Sequence, residues 1–243
     1  MHLIKVDAIS STNSLAREWW KDNHPEELIC FWAREQFEGR GQRGTQWTSE
    51  AGSNLTFSIL VPAPRISMSH QFVLSALVAL QLARGLRKMD IPRMAVKWPN
   101  DIMSANKKLG GILIENIVSN GKISASIVGI GLNVNQEDFS NLPSASSLKI
   151  VSGRSFDLQD LLESLLSDLE PALEELSDAQ ASTVMESYKK LLFRKDVAST
   201  FELPDKRLFQ GIIRDVALDG KLIVQIHNDH LQHFDIKQVR LRF

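Results

Sequence analysis

The chain has 243 residues, 43% of them apolar and 23% charged, which is enough to bury a core in one or two domains and far from a disordered composition. Lys plus Arg number 28 and Asp plus Glu 29, a formal net charge of −1, which argues against a broadly basic nucleic-acid binder and leaves room for a local basic patch. Cys30 is the only cysteine, so an intramolecular disulfide and a multi-thiolate zinc site are both excluded.

The opening MHLIKVDAIS lacks an uninterrupted apolar signal core, and the most apolar stretch, Phe72 to Ala83, is too short to span a bilayer. A cytoplasmic protein with no membrane partner is expected. Ile4 and Val6 alternate with polar residues as in a short strand. Ser10, Ser11, Thr12 and Asn13 offer N-cap side chains ahead of a helix over SLAREWWKD. Leu28 to Ala33 is short, apolar and rich in strand formers. Gly39 to Asn54 holds four glycines and little apolar pattern, and reads as a long loop of the kind that is functional or mobile. Leu55 to Val61 alternates like a strand, ended by Pro62 and Pro64. Ser69 to Met89 predicts a well-buried helix with a charged tail, and Met94 to Trp98 a strand stopped by Pro99. Leu109–Val118 and Ile123–Leu132 flank Asn120-Gly121, a strong hairpin signal. Asp157 to Leu192 carries a helical leucine pattern that Pro171 is expected to break or kink. From about Lys195 the chain turns to short strands, with Asp219-Gly220 as a second hairpin, so a small β-barrel is expected. The architecture is an α+β domain over roughly 1–190 with a β appendix.

Four motifs carry candidate chemistry. Gly39-Arg40-Gly41-Gln42-Arg43-Gly44 matches G-x-G-x-x-G, yet no apolar helical period follows it and no acid stands near position 60, so a dinucleotide fold is disfavoured. No Walker A loop is present. The loop reads equally as a solvated surface loop or as backbone N–H groups and two guanidinium groups gathered for a phosphate or carboxylate. Val96-Lys97-Trp98-Pro99-Asn100-Asp101 sets Lys97 at a strand end above a turn, either an exposed lysine or one that holds phosphate charge. Lys107-Lys108-Leu109-Gly110-Gly111 opens an apolar strand with paired glycines, which suits a bulge or the close approach of a ligand or backbone. Gly129 and Gly131 alternate on one strand face, which suits tight packing or a groove for a flat ring, with Asn133 able to meet an adenine edge.

Together and in this order, Ser11-Thr12-Asn13, Gln36 with the glycine loop and Trp47, Lys97-Trp98-Pro99-Asn100-Asp101, Lys108-Leu109-Gly110-Gly111-Ile112-Leu113 and Gly129-Ile130-Gly131-Leu132-Asn133 resemble the catalytic domain of the biotin protein ligases. The likeness is strong over about 1–150. It implies an α+β fold, a mixed or antiparallel sheet with helices on one side, in a domain spanning 1–192, followed by a small SH3-like β-barrel over 193–243. It implies an ATP- and Mg²⁺-dependent ligase that converts biotin to biotinyl-5′-AMP and passes it to a lysine of a biotin carboxyl carrier protein domain.

By the same resemblance Ser11, Thr12, Asn13, Gln36, Gly39, Arg40, Gly41, Gln42, Lys97, Gly110, Gly111 and Gly129 would bind biotin. Arg40, Arg43, Trp47, Lys97, Asn100, Lys108, Gly131, Asn133 and Arg242 would bind ATP or the adenylate. Lys97 and Arg40 would carry the catalysis, and Asp101 is a metal candidate by proximity alone. The chain departs from some members in having Gln42 and Thr45 where arginine occurs, and no aromatic near Ser146-Ser147-Leu148 to stack on adenine. Ser11 lies too near the start for a helix-turn-helix domain ahead of it, so no repressor function and no DNA partner are expected. A homodimer through an exposed strand would suit the family.

The alternative readings are a lipoate or octanoate ligase of the same superfamily, and a nucleic-acid-binding module gripping RNA with Arg40, Arg43 and Trp47. His227, His230 and His233 have regular spacing, but in β hairpins positions i and i+3 face opposite ways, so a polar turn is preferred to a metal site.

Overall fold

The structure, a computed structural model, describes residues 1–227 and 230–242, the side chain of Arg43 excepted. Seven strands form the larger sheet: β1 (His2–Ile9), β2 (Ile29–Gln36), β3 (Leu55–Pro62), β4 (Met94–Lys97), β5 (Asp101–Ser104), β6 (Lys107–Ser119) and β7 (Lys122–Leu132). Their order is β1-β2-β3-β7-β6-β5-β4, with β1–β2 parallel and every other pairing antiparallel. The crossover between the parallel pair is α1 (Thr12–Asn23). The expected β6–β7 hairpin turns through Asn120 and Gly121, both at positive φ (51° and 74°), as a two-residue primed turn requires.

The sheet is covered on both faces, not one. Cys30, Phe57, Ile59 and Val128 point into the main core with α2 (Gln71–Lys88), α4 (Leu158–Glu175) and α5 (Ala181–Lys189). The alternate residues Ile29, Phe31, Leu60 and Ile127 meet Ala16 of α1 on the other face. This explains β3: all of Leu55–Val61 is buried, because a strand covered on both sides loses its polar alternation. Helix α4 continues through the exposed Pro171 to Glu175, and the interruption comes at Leu176 instead. Leu169 and Leu173 are buried on either side of the proline, and that packing outweighs one lost backbone hydrogen bond.

A short helix α3 (Leu148–Ser152) caps the end of β7. The C-terminal segment forms a second antiparallel sheet from β8 (Ala198–Glu202), β9 (Leu208–Val216), β10 (Leu222–Gln225), β11 (Leu231–Phe234) and β12 (Arg240–Arg242), in the order β11-β10-β9-β8-β12. No pairing of β11 with β12 closes this ladder into a barrel among the described residues. The two sheets are docked, not merely tethered. Val96 N donates to Leu191 O (2.8 Å) and Phe193 N to Val96 O (2.9 Å), which covers the β4 edge. The β9–β10 turn reaches back, and Trp98 Nε1 donates to Gly220 O at 2.9 Å. A Cβ at Gly220 would lie 2.5 Å from the Phe72 ring, so only glycine lets this tip seat on α2. Among the described residues no helix is long and apolar enough to cross a membrane.

Candidate active site

The site lies on the α1 face of the large sheet, where that helix begins. Register places Lys97 opposite Asp101, Asp101 opposite Gly111, Gly111 opposite Gly131 and Gly131 opposite Thr56. The neighbouring row is Leu113, Gly129 and Ser58. Side chains alternate between faces along a strand, so these small residues form one floor. The floor is one side of a cleft of about 300 Å³.

The first turn of α1 forms one wall, and here the expectation of capping changes. Ser11 is the N-cap residue but its side chain makes no capping hydrogen bond. Thr12 and Asn13 lie inside the helix and are turned inward. Thr12 N donates to Gln36 Oε1 (2.9 Å), and Ser58 Oγ lies 2.7 Å from Thr12 Oγ1 and 2.6 Å from Asn13 Oδ1. A Cβ at Gly129 would overlap Asn13 Oδ1, so the helix end can rest on the floor only over glycine.

The glycine loop is ordered as a small clasp. Trp47 N donates to Gly39 O (2.8 Å) and Gly41 N to Thr45 O (2.6 Å). Arg40, Gly41, Gln42 and Trp47 line the cleft, whereas Gly39 stands behind it against Gln36 and Trp47. The Arg43 side chain lies outside the described residues. Trp47 lies on Gly131, where a Cβ would come within 2.6 Å of its ring, and its buried Nε1 has no hydrogen-bond partner.

The opposite wall is charged. Lys97 Nζ lies 3.3 Å from Asp101 Oδ2 and Lys108 Nζ 2.6 Å from Asp101 Oδ1. Burial pushes the Lys97 ammonium below the ordinary lysine range, the Asp101 carboxylate opposes that shift, and Lys108 and Arg240 add to it. Among the described residues, Arg40, Lys97, Lys108 and Arg240 line the cleft against the carboxylate of Asp101, an excess of three positive charges in its lining in a chain whose net charge is −1. Such a cleft concentrates anions.

Ser11, Thr12, Asn13, Gln36, Arg40, Gly41, Gln42, Trp47, Lys97, Asn100, Asp101, Lys108, Gly111, Gly129 and Gly131 therefore meet in one place. Gly110, Asn133 and Arg242 do not line it. Gly110 follows a bulge at Leu109 and faces the β7 backbone, its Cβ position 2.5 Å from Gly131 O. Asn133 Nδ2 donates to Ser146 O (3.0 Å), tying β7 to the segment before α3. Arg242 Nε donates to Glu202 Oε2 (2.7 Å) within the second sheet. The cleft receives Arg240, two residues earlier, together with Val239 and Leu241. Asn100 lines the cleft, but its Nδ2 donates to Ile112 O (2.7 Å) and holds the β5–β6 pair. Thr56 and Ser58 were legible as polar residues two apart in an apolar strand. Arg240 carried no such signal, because only the docking of the sheets brings it here.

Fold and cleft together define a two-sheet α+β protein whose glycine-floored, cationic site combines an amide- and hydroxyl-lined end with a phosphate-suited end. A family model described as the biotin/lipoate A/B protein ligase family matches residues 6–133, a little over half of the chain, and the chain belongs to that family. It is 34% identical over 169 residues to the bifunctional ligase/repressor BirA of Bacillus spizizenii, covering 68% of this chain and 51% of that protein. It is 40% identical over 102 residues to a biotin–[acetyl-CoA-carboxylase] ligase of Paracoccus denitrificans, covering 42% of each. The chain thus spans about half the length of the Bacillus protein. Its fold is similar to the biotin protein ligase of Aquifex aeolicus solved with biotin and ATP, with a TM-score of 0.80 at 22% identity, over 99% of this chain and 98% of that one.

Proposed function

We propose that this cleft activates biotin with ATP as biotinyl-5′-AMP and passes the acyl group to a lysine of a biotin carboxyl carrier domain. The observation that carries the reading is the meeting, over one glycine floor, of the Thr12–Asn13–Ser58–Gln36 hydrogen-bonding cluster with the Lys97–Lys108–Arg240 cationic wall. The hydroxyl and amide groups suit the ureido ring of biotin, which offers both N–H donors and a carbonyl acceptor. The cationic wall suits the carboxylate and the phosphates that must be brought together for attack at the α-phosphorus. Lys97 would hold charge as it builds on the phosphorus, and Arg40, on the loop, would help retain the adenylate away from water.

Among the described residues no cluster of three or more His, Cys, Asp or Glu could hold a metal. Both oxygens of Asp101 already face lysines. This donor set suits a Mg²⁺ that arrives with the nucleotide and keeps mostly phosphate and water ligands, with Asp101 as at most one protein oxygen. The ion would supply further neutralisation of the phosphates.

The test is pyrophosphate exchange into ATP with biotin, lipoate or octanoate. Exchange supported by biotin alone is the expected result. Exchange with lipoate would transfer the reading to the lipoate branch of the family, and no exchange with any acid would remove the ligase activity. A second expectation concerns the loop. The cleft is at the small end of ligand sites, roughly 300–1,000 Å³, and Trp47 covers the floor at Gly131, so two substrates require the clasp to rearrange. Amide hydrogen exchange over residues 37–50 should slow when biotin and ATP are added together. Unchanged exchange there would show that the loop is not the closing element.

A further inference from the structure

Glu115 lies just beyond the cleft lining, one row past Leu113 and Gly129, on the flank shared by the first turn of α1 and the glycine loop. It pairs with Ile127 across β6–β7 and projects on the α1 face, two positions beyond Leu113. Glu115 Oε2 accepts from Asn13 Nδ2 at 2.9 Å and from Arg40 Nη2 at 3.4 Å. Its Oε1 lies 3.7 Å from Arg17 Nη2, one helical turn along α1 from Asn13. Arg40 is fastened to the same flank a second time, through Ser14 Oγ at 3.2 Å.

Two consequences follow from elementary hydrogen-bond chemistry. A carboxylate only accepts, so Asn13 gives it the amide nitrogen, which donates at 2.9 Å to Glu115 and only at 3.5 Å to Leu113 O, the longer contact. The amide oxygen then faces Ser58 Oγ and the floor at Gly129. The foot of the α1 wall therefore carries an acceptor oxygen, which suits an N–H donor. The second consequence concerns Arg40. It is 47% exposed, and an ion pair of that exposure is weak, so a well-placed anion can draw the guanidinium off.

We propose that Glu115 is a positioning residue that couples the two ends of the site: it sets the donor–acceptor sense of Asn13 and parks Arg40 on α1 until an anion arrives. The Asn13 half rests on the biotin reading above, whereas the Arg40 half does not. Glu115 thus acts on specificity at one end and on loop closure at the other without touching the reacting atoms.

Glu115→Gln tests both halves. It is nearly isosteric, removes the charge that holds Arg40, and replaces an obligatory acceptor with an amide that can turn either way. In ligand-free protein, trypsin should cut after Arg40 several-fold faster in the variant, with cuts elsewhere unchanged. Biotin should bind several-fold more weakly, and the preference for biotin over its ureido-N-methyl analogue should narrow. A merely structural role would lower the melting temperature and leave that preference unchanged. Equal cutting at Arg40 and an unaltered preference would overturn the proposal. Absence of biotin binding by either protein would defeat the functional reading, and the cutting rate alone would then decide for or against Glu115. Should the variant fail to fold, the wild-type protein supplies the same readout. At about 0.5 M salt, where the screening length is roughly 4 Å, cutting after Arg40 should rise relative to the other sites, and no rise would reject the ionic anchor.

Discussion

Lys97→Met is expected to slow biotin-dependent pyrophosphate exchange by about 2–4 kcal/mol of transition-state stabilisation, the scale found for removal of one preorganised donor from a site of developing charge. The argument is geometric. Lys97 closes β4, its side chain is 16% exposed, and it faces the row that runs through Asp101 and Gly111 to Gly131. In a cleft partly shielded from bulk water that charge acts more strongly on a phosphoryl oxygen than it would in water. Stability should change little, because the burial that disfavours the Lys97 charge offsets its ion pair and Asp101 keeps Lys108 at 2.6 Å. An unchanged exchange rate in a folded variant would remove Lys97 from the chemistry.

The pH dependence has a defined sign. Burial lowers the Lys97 pKa, so its charge is lost at a lower pH than that of an ordinary lysine. The alkaline limb of kcat/KM, which reports the free enzyme, should therefore fall earlier than an unperturbed lysine would give, and Lys97→Arg should move it upward. Between the lowered folded value and the ordinary lysine value the unfolded chain binds more protons, so the Lys97 contribution to stability rises with pH across that window. Lys97→Met should abolish that rise.

Gly129→Ala is expected to weaken biotin binding tenfold or more, about 1.4 kcal/mol at least, and to cost about 1–3 kcal/mol of stability as overpacking. The new methyl would overlap Asn13 Oδ1 and lie 3.0 Å from its Cγ. Asn13 cannot yield cheaply, because Ser58 holds its oxygen at 2.6 Å and Glu115 its nitrogen at 2.9 Å. The first turn of α1 must shift instead, carrying Thr12 away from Gln36. Gly121→Ala is the control: its added Cβ meets nothing within 4 Å, so only the left-handed backbone is strained and biotin affinity should be intact. Titration calorimetry and thermal melts on the two variants separate the effects. Wild-type affinity in Gly129→Ala would show that the floor is not where biotin sits.

Local sequence was sufficient wherever the determinant is short-range. The Asn120-Gly121 hairpin, the buried helix after Ser69, the glycine-rich loop and the strand end at Lys97 each follow from residues within a few positions of one another. The ordered set of motifs likewise named most of the residues that gather in the cleft. Pro171 does not end its helix, because tertiary packing of Leu169 and Leu173 holds it, which no local rule weighs. The coverage of both sheet faces, Glu115 beneath Asn13, and Arg240 in place of Arg242 were settled only when distant segments met. Glu115 is 102 residues from Asn13, and Trp98 is 122 residues from the Gly220 carbonyl that docks the second sheet. The physical reason is that chemistry at a position is written in the residue, but its direction depends on register, bulges and the docking of whole sheets. A one-residue bulge at Leu109 turns Gly110 to the β7 backbone and Gly111 to the cleft, and no side-chain identity encodes that choice.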